Sequence, residues 1–343
     1  MFSSYSEDDD LPEVIILIPL QNEEKVIEEK LNSILSSNYP REKIKIYVGL
    51  DACTDNTQSI IESKFSSADI RIIEFLNRSG KPEVLNSILH NNIPSGDSIL
   101  ILTDANIIFS KDTIFELVKY FKDSKIGLVD ANIHSLRTLN HQERDYWDYE
   151  SHIKYHESIV YGIIPGPSGG CYAIRRNLFT EIPKNFLVDD FFIGFSILTQ
   201  SYKAIFNKDA ICYEDVVTSW REEFKRKTRI ATGNFQNLWH FKKYVFRFNA
   251  LSFVFISHKV LRWKTPFILL ILYYILLLKY TLFILSVTLF LPIFDLFLYT
   301  FGIEFRTFRR FNYFIVMNIA VFLGFIKFLK GVKNNVWQPT SRK

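Results

Sequence analysis

Short unbroken apolar runs alternate with segments of helical period through the first 240 residues. VIILI (14–18), ended by Pro19, predicts a strand buried on both faces. QNEEKVIEEKLNSILSSNYP then sets Ile27, Leu31, Ile34 and Leu35 at helical spacing. Asn22 is the expected N-cap, glutamates fill the first turn, and Tyr39-Pro40 is the stop. The alternation continues with IKIYVGL (44–50) as strand, TDNTQSIIESKF as helix and IRIIEF (70–75) as strand. GKPEVLNSILHNN follows as a helix with Pro82 near its first turn, then ILILT (99–103) as strand. TIFELVKYF (113–121) predicts helix, IGLVDANI (126–133) strand, and ERDYWDYESHIKYHESIV a polar, aromatic-rich helix. A PGPSGG loop, a short CYAIRR strand and a VDDFFIGFSILTQ helix come next. Continuously apolar strands separated by helices predict an α/β domain with a mainly parallel sheet covered on its faces.

Beyond residue 265 the pattern changes. Residues 266–301 contain only Lys279 and Asp295 as charged residues, far more apolar chain than the ~18 residues a membrane-spanning helix needs. Two tightly connected spans, 266–283 and 284–301, are expected, and FNYFIVMNIAVFLGFIKFLKG (311–331) is a third candidate. The aromatic and basic stretch 244–264 has the character of an interfacial amphipathic helix. The expected organisation is therefore a disordered tail at 1–11, a soluble domain at 12–243 and the interfacial segment at 244–264. Two to three transmembrane segments at 265–331 and a tail at 332–343 complete it. Basic residues at 262–264 and 306–310 flank the first two spans, which places them and the large domain on the cytosolic side of a plasma or inner membrane. A third full crossing would put Lys333, Arg342 and Lys343 outside, against that bias, so a full span and a re-entrant segment both stay open.

Composition narrows the chemistry. The 41 basic and 37 acidic residues leave a net charge of only +4, with no basic cluster patterned for nucleic acid, so no nucleic-acid partner is expected. Cys53, Cys171 and Cys212 are widely spaced, without a CxxC or a Cys/His pair at ligand spacing. This argues against zinc and a disulfide framework and for a reducing, cytosolic setting. The opening MFSSYSEDDD is polar and acidic, unlike an apolar leader. His134, His141, His152, His156 and His258 show no ligand spacing and read as structural or interfacial.

Ligands of open α/β sheets bind beyond the carboxyl ends of the strands. Here the first strand ends in PLQNEE, the second in Asp51-Ala52-Cys53-Thr54-Asp55 and the fourth in Asp104-Ala105-Asn106. Each cluster alone reads equally as a helix cap or polar turn. Together they gather negative groups at one sheet edge, where a cation is needed; oxygen ligands favour Mg2+ or Mn2+. A divalent ion with few protein ligands bridges to phosphate, which points to displacement of a diphosphate-bearing leaving group.

VIILIPLQNEEKVIEEKLNSIL, YVGLDACTDNT, GKPEVLN, LTDAN, GPSGGCYAIRR, LVDDFFIGF and RKTRI stand in an order and at separations that resemble family 2 glycosyltransferases. The likeness covers about residues 12–240 and is nearest to membrane-anchored, non-processive members of cell-envelope and exopolysaccharide synthesis. It implies a GT-A fold, a nucleotide-diphosphate sugar donor (UDP-linked in the first instance), inversion at the anomeric carbon and a lipid-linked or envelope saccharide acceptor. By the same resemblance, the backbone after Pro19 and the side chain of Glu23 lie beside the nucleoside, Asp51 holds the base, and Lys81 is near the donor. Asp104 and Asn106 match the DxD motif that faces donor and metal. Gly169, Gly170 and the segment to Arg175 form the acceptor-side loop, with Asp189 beside it. Asp190 is the general base, and Arg226 and Arg229 match basic positions near the diphosphate. A carboxylate that takes the acceptor proton, with guanidinium and metal charge at the leaving group, makes a coherent inverting displacement.

Three departures matter. Asn106 replaces the last carboxylate of DxD, so metal binding rests more on Asp104 and the diphosphate. Ile230 stands where processive synthases carry a tryptophan, which argues against a polysaccharide-extruding channel. No apolar span precedes residue 12. The competing reading is a non-catalytic, nucleotide-sugar-binding membrane scaffold of a polysaccharide assembly complex; intact Asp51, Asp104 and Asp190 speak against it. Helix capping remains an alternative for Asp189-Asp190, and lipid attraction for Arg226 and Arg229. A nucleotidyltransferase would need a glycine-rich loop after the first strand, and PLQNEE has no glycine.

Overall fold

The computed structural model describes residues 2–6, 8–135, 141–214, 220–300 and 306–333, with backbone alone at 141–147, 220, 306–310 and parts of 284–300. The chain divides into two compact units. One comprises Met1–Val217 with Arg247–Val254 and Val332–Lys343; the other comprises Thr218–Phe246 with Phe255–Gly331.

In the first unit, β1 (Val14–Leu20), α1 (Ile27–Leu35), β2 (Ile44–Asp51), α2 (Thr57–Lys64), β3 (Ile70–Phe75), α3 (Lys81–Asn91) and β4 (Ile99–Thr103) alternate as their patterning demands. All seven residues of β1 are buried, as a central strand covered on both faces requires. The chain continues through β5 (Ile107–Phe109), α4 (Thr113–Val118), β6 (Ile126–Ser135), α5 (His141–Tyr161), β7 (Cys171–Arg175), α6 (Asp189–Thr199) and β8 (Lys203–Glu214). The eight strands form one sheet in the order β3-β2-β1-β4-β7-β6-β8-β5. Strands β3, β2, β1 and β4 run parallel, as do β6 and β8; β7 is antiparallel to β4 and β6, and β5 to β8. The parallel half brings the ends of β1, β2 and β4 to one edge, and the mixed half closes the sheet beside it.

Two local expectations change. Asn22 does not cap α1. The chain first turns along the sheet edge with Asn22 at φ +54°, and the helix starts five residues later at Ile27 without a side-chain cap. The expected disordered tail instead rests on the domain: Phe2 packs edge-on against Tyr120, and the Tyr5 amide donates to the Lys119 carbonyl at 2.8 Å. The two aromatic rings bury apolar surface that a free tail would leave in water.

α1 lays Ile27, Leu31 and Ile34 on the sheet, and Lys30 lies on the same buried stripe, fully enclosed. Its ammonium donates to Thr103 Oγ1 at 2.9 Å and to the Ile107 carbonyl at 2.5 Å, and sits 3.7 Å over the Phe109 ring. It thus holds both ends of the 103–107 turn. Burial pulls its pKa down to about 8, against partial compensation from Cys171, Cys212 and Asp104.

In the second unit, α7 (Trp220–His240) packs with α10 (Arg306–Leu329). A Cβ on Gly324 would stand 2.5 Å from that of Ala231, and Phe235, Phe267 and Phe325 form an aromatic cluster at 4.9–6.3 Å. The segment leading up to these helices breaks into α8 (Ala250–Val254) and a π-turn at Phe255–Val260. α9 (Leu261–Thr300) is kinked at Tyr280 (φ −133°, ψ 45°), where two helices meet. Two helical stretches, Ala250–Phe283 and Phe311–Leu329, are long and apolar enough to cross a membrane. Residues 334–343, and with them Arg342 and Lys343 of the expected tail, lie outside the described residues.

Lys30 carries a pH signature. Its folded pKa lies below the unfolded ~10.4, so between about pH 8 and 10 the unfolded chain binds more protons and this residue's contribution to stability rises with pH. Melting curves of the wild type and Lys30→Met at pH 7.5 and 9.5 should show the wild type gaining relative to the variant. A constant difference between the two would mean that Lys30 titrates normally.

Candidate active site

The turns after β1 and β2 are laced together. Asn22 Nδ2 donates to Thr54 Oγ1 at 3.0 Å, and its Oδ1 accepts from the Thr54 amide at 2.8 Å. The Glu23 amide donates to Thr57 Oγ1 at 2.9 Å and that of Glu24 to Asp55 Oδ2 at 3.1 Å; Asp55 Oδ1 also accepts from the Thr57 amide and hydroxyl. Ala52 sits at φ +50°, a strained conformation for a residue with a Cβ, and its amide donates to the Phe75 carbonyl. Pro19 lies within β1 opposite Gly49, and Glu23 is buried in the lacing.

Asp51, at the end of β2, is almost wholly buried. Its carboxylate accepts from the amides of Ser79 (2.6 Å) and Gly80 (2.9 Å), with Arg78 Nε at 3.5 Å. Gly80 adopts φ +84°, which only glycine takes without strain, and α3 starts at the next residue. Asp51 thereby fixes the start of α3 and the base of the Lys81 side chain.

The Lys81 ammonium lies 2.7 Å from Asp104 Oδ1, 3.7 Å from Asp189 Oδ2 and 3.4 Å from the Gly169 carbonyl. Burial alone would lower its pKa; Asp104 and Asp189 more than reverse this and hold it above the ordinary lysine range. Asp104, between β4 and β5, keeps 39% of its side chain exposed, and its amide donates to the Gly170 carbonyl at 2.9 Å. Asn106 is buried and its Nδ2 donates to Glu214 Oε1 at 3.1 Å.

Asp189 and Asp190 open α6, where the helix dipole favours negative charge. The Asp190 carboxyl is nonetheless raised to about 6, first by burial and then by Asp189, with Lys81 pulling the other way. Gly169 makes the close approach possible, since a Cβ there would fall 2.4 Å from Asp190 Oδ2. The structure thus brings Asp51, Lys81, Asp104, Asn106, Gly169, Gly170, Asp189 and Asp190 into one continuous edge. Arg226 and Arg229 lie on α7, in the other unit.

The loop carrying Gly169 has a support that sequence reading did not single out. Lys154 of α5 donates from Nζ to Asp130 Oδ2 and to Ser168 Oγ, both at 2.9 Å, and the Ser168 amide donates to Asp130 Oδ1 at 2.7 Å. Asp130 is fully buried and Lys154 nearly so. Despite its burial, Lys154 is held charged by Asp130 and the nearby Glu150, with its pKa above the ordinary value. One signal was visible, an aspartate in the middle of the apolar run IGLVDANI; nothing in α5 marked Lys154 as its partner.

Residues 12–233 match the family model described as Glycosyltransferase like family 2, and the chain belongs to that family. Its α/β sheet is of the GT-A type. It is 26% identical over 240 residues to the probable glycosyltransferase YdaM of Bacillus subtilis (strain 168), covering 66% of this chain and 56% of that protein. It is 23% identical over 238 residues to poly-beta-1,6-N-acetyl-D-glucosamine synthase of Staphylococcus aureus (strain COL), covering 67% and 56%. The chain therefore spans little more than half the length of these relatives. Among solved structures, the mannosyltransferase PcManGT from Pyrobaculum calidifontis, in complex with GDP-Man and Mn2+, superposes with a TM-score of 0.73. Its identity is 22%, over 96% of this chain and 90% of that one.

Removing one partner of the buried Asp130–Lys154 pair should cost about 3–5 kcal/mol. Lys154→Met should therefore melt well below wild type in a thermal scan. Asp130→Asn/Lys154→Met, which leaves no unpaired charge, should recover most of the loss; a double variant no better than the single would show that charge pairing is not what holds the loop.

Proposed function

We propose that the chain is an inverting, non-processive glycosyltransferase. It moves one sugar from a nucleotide-diphosphate donor, UDP-linked in the first instance, to a lipid-linked or envelope saccharide acceptor. The observation that carries this reading is Asp190, a carboxyl raised to about 6 at a helix start, against a glycine loop and beside Asp189, Lys81 and Asp104. A base near that pKa is charged at neutral pH yet basic enough to take a hydroxyl proton as the acceptor oxygen attacks. Asp190 removes that proton, and the loop containing Gly169 and Gly170, with Asp189, orients the acceptor. Lys81 offsets charge on the donor side, and Pro19, Glu23 and Asp51 line the nucleoside end; the family resemblance, and not the geometry of the sheet edge, assigns Arg226 and Arg229 to the leaving diphosphate.

The donor set at the edge is all oxygen: the Asp104 carboxylate, one oxygen of which meets Lys81, and the carbonyl of an Asn106 amide whose nitrogen is engaged by Glu214. That chemistry suits Mg2+ or Mn2+. Among the described residues, no three His, Cys, Asp or Glu side chains group so as to hold an ion by themselves, so substrate phosphate would complete the coordination. When bound, the ion would neutralise charge developing on the leaving diphosphate.

The two long apolar helices support integral attachment to a plasma or inner membrane. The basic residues at 262–264 and 306–310 support a cytosolic catalytic domain. In this organisation 12–243 is catalytic, 244–264 interfacial and 265–331 membrane-embedded. The aromatic side chains of Phe246, Phe248 and Phe253, all exposed, fit an interfacial position.

Full-length protein in detergent should release nucleoside diphosphate from a UDP- or GDP-sugar panel with Mn2+, and less with EDTA. Asp190→Asn should abolish release while donor binding persists; undiminished release would remove Asp190 as the base. Turnover should fall as pH drops through about 6, where Asp190 takes up a proton. The sign for stability is opposite. A carboxyl raised in the fold favours folding at low pH and loses that contribution as pH rises through its folded pKa. Asp190→Asn should thus melt above wild type at pH 8, the gap shrinking toward pH 4. Nucleotide-sugar binding without turnover of any pair would instead favour the scaffold reading.

A further inference from the structure

The residue at 106 is an amide where the resemblance leads one to expect a carboxylate, and Glu214 meets that amide. Glu214 is the last residue of β8, and ladders on both sides hold it: it pairs with Ile107 of β5 and with Ser135 of β6. Its register partner on β5 therefore directly follows Asn106, and Oε1 accepts the Asn106 Nδ2 proton at 3.1 Å. An amide that donates from its nitrogen to a fixed carboxylate has its carbonyl oxygen turned to the other side. Asn106 is buried, so this orientation is set by the protein and not by solvent.

Charge supports the same conclusion. Asn106 and Glu214 together carry one negative charge, the same as an aspartate at 106 beside a neutral residue at 214. Two carboxylates at this separation would repel each other. The amide at 106 and the glutamate at 214 are therefore complementary, and neither is a neutral replacement by itself. Part of the Asp104 charge is offset by the Lys81 ammonium, which lies 2.7 Å from one of its oxygens.

We propose that Glu214 is a positioning residue that restores the second negative charge of the cation and diphosphate edge, acting through the Asn106 amide it orients. The inference rests on the transferase reading, and it assigns a task to a strand end that no motif marks. Partners that orient metal-binding side chains change metal affinity by about 10–100-fold when removed.

Mn2+ binding tests it without any acceptor or turnover. Full-length protein in detergent is titrated with Mn2+ in the presence of UDP or GDP, and free Mn2+ is read by electron paramagnetic resonance. Glu214→Gln, which keeps the side-chain size, should weaken Mn2+ binding about tenfold or more. Asn106→Asp in the Glu214→Gln background should return it to near the wild-type value. A purely structural role for Glu214 would not be rescued by moving the charge to 106. Mn2+ binding unchanged in Glu214→Gln, or a folded double variant (by thermal melt) that shows no recovery, would overturn the inference and leave the transferase reading standing. Failure of the wild type to bind either nucleotide would overturn that reading and this inference with it.

Discussion

The Lys81 ammonium is the group on which the rest of the site depends. Three carboxylates, Asp104, Asp189 and Asp190, share one edge of the sheet, and their mutual repulsion is strongest where water is excluded. Lys81 lies within ion-pair distance of two of them and also approaches the Gly169 carbonyl. Its position is prepared one step earlier: Asp51 draws the amides of Ser79 and Gly80 onto its carboxylate, and the helix carrying Lys81 begins there. The chain of cause runs from the end of β2, through a glycine turn, to a cation that stabilises the acidic edge.

The same device recurs beneath the surface. Lys30 grips both ends of the turn holding Asp104 and Asn106, and Lys154 ties the strand carrying Asp130 to the loop holding Gly169. Two of the turns at the edge therefore have an internal ammonium behind them. Hydrogen-bonded cations of this kind orient backbone carbonyls and hydroxyls that apolar packing alone leaves free to rotate. The cost is a desolvated charge, and the two cases resolve it differently: Lys154 has a carboxylate partner, while Lys30 has neutral acceptors and a correspondingly depressed pKa.

Much of this was legible in the sequence because burial on both faces leaves a plain trace. The parallel strands β1, β2 and β4 were readable as unbroken apolar runs, and the acidic groups at their ends as a shared edge. β5 escaped because three residues are too few for a pattern, and β8 because Asn207-Lys208-Asp209 interrupts it where the pairing with β6 shifts register. Asn22 looked like a cap, yet its side chain bonds to the turn after β2, a partner thirty-two residues away that no local rule supplies. Lys30 could have been noticed as a charge on the apolar stripe of α1. Lys154 could not, since α5 mixes polar and aromatic residues without a clear apolar stripe on which a charge would stand out. The kink in α9 at Tyr280 falls near the junction expected between the two spans, within a stretch, 267–291, that holds no proline or glycine to mark its place.

The missing side chain at Gly169 has a consequence for altering what this protein accepts. Because the loop backbone rests directly against the Asp190 carboxylate, the loop and that carboxylate form one mechanical piece. Ser168 is tied to Asp130 and Lys154, a Cβ at Gly166 would meet the Phe191 ring at 2.7 Å, and any residue larger than glycine at 169 would push the Asp190 carboxylate aside, so a transplanted loop must keep all three positions. On the proposed reading, in which Asp190 is the base and this loop faces the acceptor, specificity and reactivity therefore meet at one backbone position.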